Sequence, residues 1–386
     1  VNLRAPAYVV SAVRTPVGRR GGGLAQAHPA DLGAHVLSAV VERVGVDPGA
    51  IDDVIMGCVD QVGAQASNIA RTAVLSAGFP EHVPATTIDR QCGSSQQAAH
   101  FAAQAVASGT QDLVIAAGVE VMSLVPLGTA TTAGRDAGLG EPRSGEGWRA
   151  RFGDEVFSQF TGAELIAEHW SINRDQMERF ALESHQRAIR AADEGLFDAE
   201  IVPWEGITRD EGPRPDSNIE KMQSLQPLIP GGQLTAAVSS QISDGAAALL
   251  IASQRAVNEH GLTPLARISA IDVVGSDPRF MLSGPIPATS RILDKAGLTM
   301  SDIGHFEVNE AFAPVILAWA KELNADLSVT NPLGGAIALG HPLGATGARL
   351  MTTLVHSMSR TGIQRGLQVM CEGGGMANAT LLELVD

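Results

Sequence analysis

Aromatic side chains are scarce in this sequence: Phe, Trp and Tyr make up 4% of 386 residues. A core of this composition must be filled by aliphatic and small side chains. With Gly and Ala abundant, helices and sheets are expected to pack closely. Cysteine is scarcer still. Cys58, Cys92 and Cys371 are too few for a disulfide framework, and their odd number fits a reducing compartment. No C-x-x-C pair or regular histidine spacing marks a zinc site. No window approaches the ~20 uncharged apolar residues of a membrane span. Val1 to Pro16 holds a short apolar run interrupted by Arg14, without the long apolar core and cleavage site of a signal peptide. The terminal Leu384-Val385-Asp386 is not a peroxisomal address. These absences predict a cytoplasmic chain. Positive charge is also in deficit. A net charge of −15 argues against nucleic acid and anionic membrane surfaces as partners. It leaves open an anionic ligand held by a local cluster.

What is present falls into three textures, and the length fits two or three domains. Residues 1 to about 120 alternate β-branched runs with Ala-rich stretches. Tyr8 to Val13, Asp53 to Cys58 and Gln111 to Ala117 predict strands, and Pro29 to Val44 predicts a helix stopped by Gly45. Residues 121 to about 240 are richer in charge, Trp and Pro; Gly162 to Trp170 and Arg174 to Glu194 predict amphipathic helices. Residues 243 to 386 return to the first texture, with a small-residue helix expected over Asp244 to Ser253 and a strand over Ala266 to Val274. An internal echo links the ends. Residues 108–118 resemble 360–370, and 52–57 resemble 302–307. The echo predicts two copies of one α/β unit, with 121–240 inserted.

Cys92 stands in Asp89-Arg90-Gln91-Cys92-Gly93-Ser94-Ser95, between a strand-like run (Val83 to Ile88) and a small-residue helix (Gln96 to Ala107). A thiol there meets the positive end of the helix dipole and free backbone N–H groups. Both favour thiolate and are expected to lower its pKa from about 8.5. Taken alone, an isolated cysteine in such a chain reads as a small buried core residue. Three C-terminal segments change the balance: Glu307-Val308-Asn309-Glu310-Ala311-Phe312-Ala313, the glycine-rich run Asn331 to Gly347 around His341, and Cys371-Glu372-Gly373-Gly374-Gly375-Met376. Each breaks an apolar run with residues that packing would not select. His341 alone reads as structural and the three glycines alone as a turn. Together with Cys92 they supply a nucleophile, a base, a second thiol and backbone donors, the requirements of acyl transfer through an oxyanion. The other histidines named by position (His28, His82, His100, His185, His356) read as surface or packing residues, and Cys58 as core.

Gln91-Cys92-Gly93-Ser94-Ser95, Asn309-Glu310-Ala311-Phe312, Gly340 to Gly347 and Cys371 to Gly375 resemble the signature blocks of the thiolases, in the same order. The resemblance spans the chain and includes Arg14-Thr15-Pro16, Gly118 to Ser123 and Ser243 to Ala247. It implies an α/β thiolase fold: two duplicated αβαβα-type halves in a five-layered core, with an inserted loop domain. The halves would be 1–120 with 241–264, and 265–386, with 121–240 covering coenzyme A. It implies Cys92 as the acylated nucleophile and His341 as its base, with a pKa near working pH. Cys371 would be the acid/base at the acetyl α-carbon, and Asn309 would hold a water at the enolate oxygen. The N–H groups of Cys92 and Gly373 would hold the oxyanion. Ser240, Arg214 and Lys221 become candidate CoA contacts. CoA is a substrate, with no tightly bound cofactor; acyl-CoA is the partner, and dimers or tetramers built through the N-terminal halves are implied. Relatives that make acetoacetyl-CoA carry His-Met-Gly where this chain has Ser158-Gln159-Phe160, and Asn where it has Val238; Glu372 replaces a small or apolar residue. These departures favour a longer or bulkier 3-ketoacyl chain, and the reading is a degradative thiolase acting on a fatty acid or steroid side chain. The alternatives are a biosynthetic acetoacetyl-CoA thiolase, a ketoacyl-synthase-like condensing enzyme, which would lack the second cysteine, and a non-catalytic partner protein, which would have lost a catalytic residue.

Overall fold

The computed structural model describes residues 2–385. Val1 and Asp386, which end the two segments read above for a leader and a peroxisomal address, lie outside them. Ten strands form one mixed sheet: β1 (Asn2–Arg14), β2 (Gly18–Arg19), β3 (Asp53–Gly57), β4 (Ala85–Ile88), β5 (Leu113–Val121), β6 (Ser243–Ser253), β7 (Ala266–Gly275), β8 (His305–Val308), β9 (Arg365–Glu372) and β10 (Met376–Leu384). Their order is β4-β3-β5-β6-β1-β7-β10-β9-β8, with β2 beside β6.

Pairing repeats about the β1–β7 junction. β3 runs parallel to β5, β5 antiparallel to β6, and β6 antiparallel to β1. Likewise β8 runs parallel to β9, β9 antiparallel to β10, and β10 antiparallel to β7. The echoed segments therefore occupy equivalent strands, β3 and β8, β5 and β9. The long helices Ser94–Ser108 and Leu343–Thr361 pack on each other between the two half-sheets. Helices Pro29–Glu42 and Ile69–Ser76 cover the outer face of the first half. Helices Pro285–Ala296 and Ala313–Leu323 cover the outer face of the second. The result is a five-layered α/β/α/β/α stack.

Small residues make the central layer possible. Ala98, Ala99, Ala102 and Ala103 are fully buried against Ala348, Met351, Leu354 and Val355 of the opposing helix. At Gly118, near the end of β5, a Cβ would lie 2.2 Å from the Gly344 carbonyl and 2.6 Å from Ser95 Cβ. That strand thus touches the N-termini of both central helices, beside Cys92 and His341.

The helix expected over Asp244 to Ser253 is instead strand β6. Ala247, Leu249 and Ile251 face one hydrophobic layer, while Ala246, Ala248, Leu250 and Ala252 face the other. A strand buried on both faces carries no polar alternation, and its alanines then read as helical. Within 121–240, helices Gln159–His169 and Arg174–Asp193 rest on helix Ala313–Leu323. Buried Arg14 ties this region to β1, donating to Glu200 at 2.6 Å and Asp210 at 2.7 Å. Among the described residues, no helix is long and apolar enough to cross a membrane.

Candidate active site

Cys92 follows a tight turn at the end of β4. Gln91 has φ +50, Asp89 Oδ1 accepts its N–H at 2.6 Å, and Ser94 Oγ donates to its carbonyl at 2.6 Å. A non-glycine residue held in the left-handed region stores strain that the surrounding bonds must sustain. Cys92 is 9% exposed and packs with Met122, Leu343, Leu350 and Met370. The backbone N–H groups of Gly373 and of Cys92 itself both favour its thiolate. Burial outweighs them, and Cys371 and Glu372 add to it, so the thiol is held well above its ordinary pKa. This corrects the expectation of a lowered thiol: desolvation exceeds what the backbone N–H groups at the helix start supply.

Cys371 is fully buried at the end of β9. Burial pushes its thiol up to about 12, although Asn309 Nδ2 donates to its sulfur at 3.6 Å. Glycines follow it, with Gly374 and Gly375 at φ +87 and +81, and this turn carries the Gly373 N–H to Cys92. Asn309, just beyond β8, also lies 3.5 Å from His341 Nε2 through the same Nδ2, while its Oδ1 has no partner. The structure thus brings Cys92, Cys371, Asn309, His341 and Gly373 together.

His341 is buried at the start of helix Leu343–Thr361. Gly340 makes this position reachable: its φ is +104, and a Cβ there would lie 2.2 Å from Ser243 Oγ. Burial and the charge of Arg349 push the imidazole down to about 3. Its expected pKa near working pH is therefore corrected; in the resting site it is a neutral base. Thr346 sets which nitrogen is basic. The Thr346 hydroxyl donates to the Pro342 carbonyl at 2.7 Å, so its oxygen accepts from His341 Nδ1 at 2.7 Å. Nε2 keeps its lone pair and faces Asn309. Replacing Thr346 with the isostere valine leaves Nδ1–H buried without a partner, at about 1–3 kcal/mol. Thr346→Val is expected to slow acylation of Cys92 by about 10- to 100-fold with a smaller change in KM, measured by single-turnover kinetics.

Thr346 is a residue that sequence reasoning missed, as is Arg349; its signal was a hydroxyl one helical turn into the run that follows His341. Glu120 is a third. It is buried and accepts from the N–H groups of Val59 (2.9 Å) and Gly344 (2.9 Å) and from Gln65 Nε2 (2.7 Å), fixing the helix behind His341.

A cavity of about 730 Å³ opens onto His341. Leu343, Met122, Phe312 and Phe160 form its apolar wall, and Ser240, Arg19, Arg20 and Arg214 line its outer part. A second cavity of about 430 Å³ shares Arg214 and is lined by Lys221 and His185. Ser240 and Arg214 therefore reach the space in front of His341. Lys221 borders only the adjoining one, where its Nζ donates to the Asp216 carbonyl at 2.8 Å.

Two facing thiols, a neutral imidazole and converging N–H groups on a duplicated α/β core define an acyl-transfer enzyme. The chain belongs to the thiolase family and is a CoA-dependent acyltransferase: the family descriptions "Thiolase, N-terminal domain" and "Thiolase, C-terminal domain" match residues 7–255 and 262–384. It is 56% identical to the steroid 3-ketoacyl-CoA thiolase FadA6 of Mycobacterium tuberculosis, over 98% of this chain and 94% of that protein. It is 42% identical to a beta-ketoadipyl-CoA thiolase of Pseudomonas aeruginosa, over 98% and 99%. Human mitochondrial 3-ketoacyl-CoA thiolase in complex with CoA superposes with a TM-score of 0.90 at 36% identity, covering both chains fully.

Proposed function

We propose that this enzyme works in the degradative direction, cleaving 3-ketoacyl-CoA with CoA to acetyl-CoA and a shortened acyl-CoA. The observation that carries this reading is the likeness over the whole chain to proteins named 3-ketoacyl-CoA thiolases, with a wide cavity in front of His341; at rest both thiols are held protonated beside a neutral imidazole. His341 takes the Cys92 proton as sulfur attacks the 3-keto carbon, and the N–H groups of Cys92 and Gly373 hold the oxyanion. The Cα–Cβ bond breaks, and the enolate of acetyl-CoA, held by His341 and a water on Asn309, receives the Cys371 proton. A CoA thiol then returns a proton to Cys371 and attacks the Cys92 thioester, releasing acyl-CoA; His341 gives its proton back to Cys92. A protonated Cys371 supplies the acid that cleavage needs; in the reverse direction the same thiol first gives its proton to the departing CoA and only then acts as the base at the acetyl α-carbon.

The acyl chain is long or bulky. Gln159 and Phe160, which stand where acetoacetyl-CoA thiolases carry Met-Gly, line the main cavity with Met122 and Leu127. The name of the Mycobacterium tuberculosis relative points to steroid-derived acyl groups. We assign 121–240 as the domain that covers CoA, with Ser240, Arg214 and, more peripherally, Lys221 as its contacts, and 1–120 with 241–264 and 265–386 as the two halves. We further propose a homo-oligomer paired through β4, an edge strand flanked by exposed Leu75 and Phe101. The free thiols suit a cytoplasmic location. A thiolysis screen from acetoacetyl-CoA to long-chain and alicyclic 3-ketoacyl-CoA tests the substrate reading. The value of kcat/KM is expected to rise with acyl bulk, by at least about tenfold for ~1.4 kcal/mol of added apolar contact. Acetoacetyl-CoA as the best substrate would return the enzyme to the biosynthetic class.

A further inference from the structure

One buried acid beside this machinery has no part in it. Glu372 follows Cys371 at the end of β9 and is fully buried. Neither of its carboxyl oxygens has a hydrogen-bond partner. Gly93 shows how close it lies to the nucleophile: a Cβ there would stand 1.9 Å from Glu372 Oε1 and 2.7 Å from its carboxyl carbon. The carboxyl group therefore rests on the backbone of the residue after Cys92, at the uncapped start of helix Ser94–Ser108. The other buried acids nearby are anchored. Glu120 is held by backbone N–H groups and Gln65, and Glu310 by Asn331 at 2.9 Å and Ser184 at 2.7 Å. Four titratable or charged groups face Glu372. Its charge disfavours ionisation of Cys92 and of Cys371; Asp89 opposes its own ionisation, and Arg90 favours it. Arg90 is itself incompletely partnered, with a buried Nε that bonds to nothing.

We propose that Glu372 is a positioning residue that works as an uncharged acid packed on Gly93, and that its ionisation suppresses thiolate formation at Cys92. The inference rests on Cys92 being the nucleophile. A carboxylate in this place would be an unpaired buried anion beside the points where a thiolate and an oxyanion must form, whereas the neutral acid occupies the same volume without opposing either. Burial pushes the carboxyl up to about 8. Below that pH the group is neutral and Cys92 ionises unopposed by it. Above it, the new negative charge raises the Cys92 pKa further. Reactivity of Cys92 should therefore climb with pH and flatten near pH 8.

The test is the rate of alkylation of Cys92 by iodoacetamide from about pH 6 to about pH 10, with the labelled residue identified by peptide mass spectrometry. Glu372→Gln keeps the shape and removes the charge. At about pH 9 it is expected to be labelled about tenfold faster than the wild type, the effect of roughly one pKa unit, with the two rates nearly equal at about pH 6.5. A slower Gln variant at every pH, or coincident profiles, overturns the proposal. The wild-type profile is a second measurement that does not depend on the variant folding: a plateau near pH 8 supports the proposal, and a single rising thiol titration overturns it. Labelling at Cys371 or Cys58 in place of Cys92 removes the nucleophile reading and the proposal with it, which separates that failure from the others.

Discussion

Incubated with acetyl-CoA, the enzyme is expected to gain one acetyl group on Cys92, and the Cys92→Ala variant to gain none. Turnover in that variant should fall by about 10⁴- to 10⁶-fold, the usual result of removing a covalent nucleophile. The fold should survive. Cys92 contributes one sulfur atom to a small cluster with Met122, Leu343, Leu350 and Met370, and its backbone N–H remains in place. The adduct forms despite a resting thiol that holds its proton, because the cost of ionisation is shared: Cys92 and His341 become oppositely charged together, in a buried space where their attraction is strong. Intact-mass and peptide mass spectrometry measure the adduct. An acetyl group that appears on Cys371, or persists in Cys92→Ala, would remove the basis for the nucleophile assignment.

The residues that the structure gathers at the candidate site were legible because each interrupts an apolar run with a residue that packing does not require. Gly340 and the glycines after Cys371 are needed for backbone approach and positive φ, and such needs leave a mark in the sequence. The duplication was legible for a similar reason: a helix followed by a buried strand ending in glycine recurs where β5 and β9 occupy matching places. Strand β6 was not legible. Its alanines face two hydrophobic layers, and a pattern that is apolar on both sides holds no period to read.

The ionisation states were also hidden, since they depend on tertiary burial. Leu343, Leu350 and Met370, about 250 to 280 residues from Cys92, remove the water that would let the helix dipole lower its pKa. His341 looked like an acid/base poised near neutrality, but Arg349, buried with no partner for any of its guanidinium nitrogens, adds its charge to the desolvation. Among the candidate CoA contacts, Ser240 and Arg214 border the cavity in front of His341, and Lys221 borders the adjoining one. Residues on irregular, exposed segments carry little positional information in sequence, because neither periodicity nor burial constrains them.

Cys371→Ser should separate the two halves of the chemistry. Acetyl transfer from acetyl-CoA to Cys92 keeps the nucleophile, the His341 base and the oxyanion donors; the Cys371 proton serves there only the departing CoA thiolate, a good leaving group that can take its proton from solvent. That half-reaction is expected to stay within a few-fold of wild type. Breaking or making the carbon–carbon bond needs a proton moved at the acetyl α-carbon, and a serine hydroxyl is a far poorer acid than a thiol, even one pushed up to about 12 by burial. Thiolysis should therefore fall by about 10²- to 10⁴-fold, the usual contribution of a placed acid or base. Exchange of solvent deuterium into the methyl group of acetyl-CoA should fall with it. Asn309 provides a control on geometry: its Nδ2 reaches the sulfur at 3.6 Å and can donate to a serine oxygen in the same way, so the pocket keeps its shape. If cleavage and deuterium exchange continued at wild-type rates in Cys371→Ser, the α-carbon proton would have to be carried by another group, and His341 would be the first to examine.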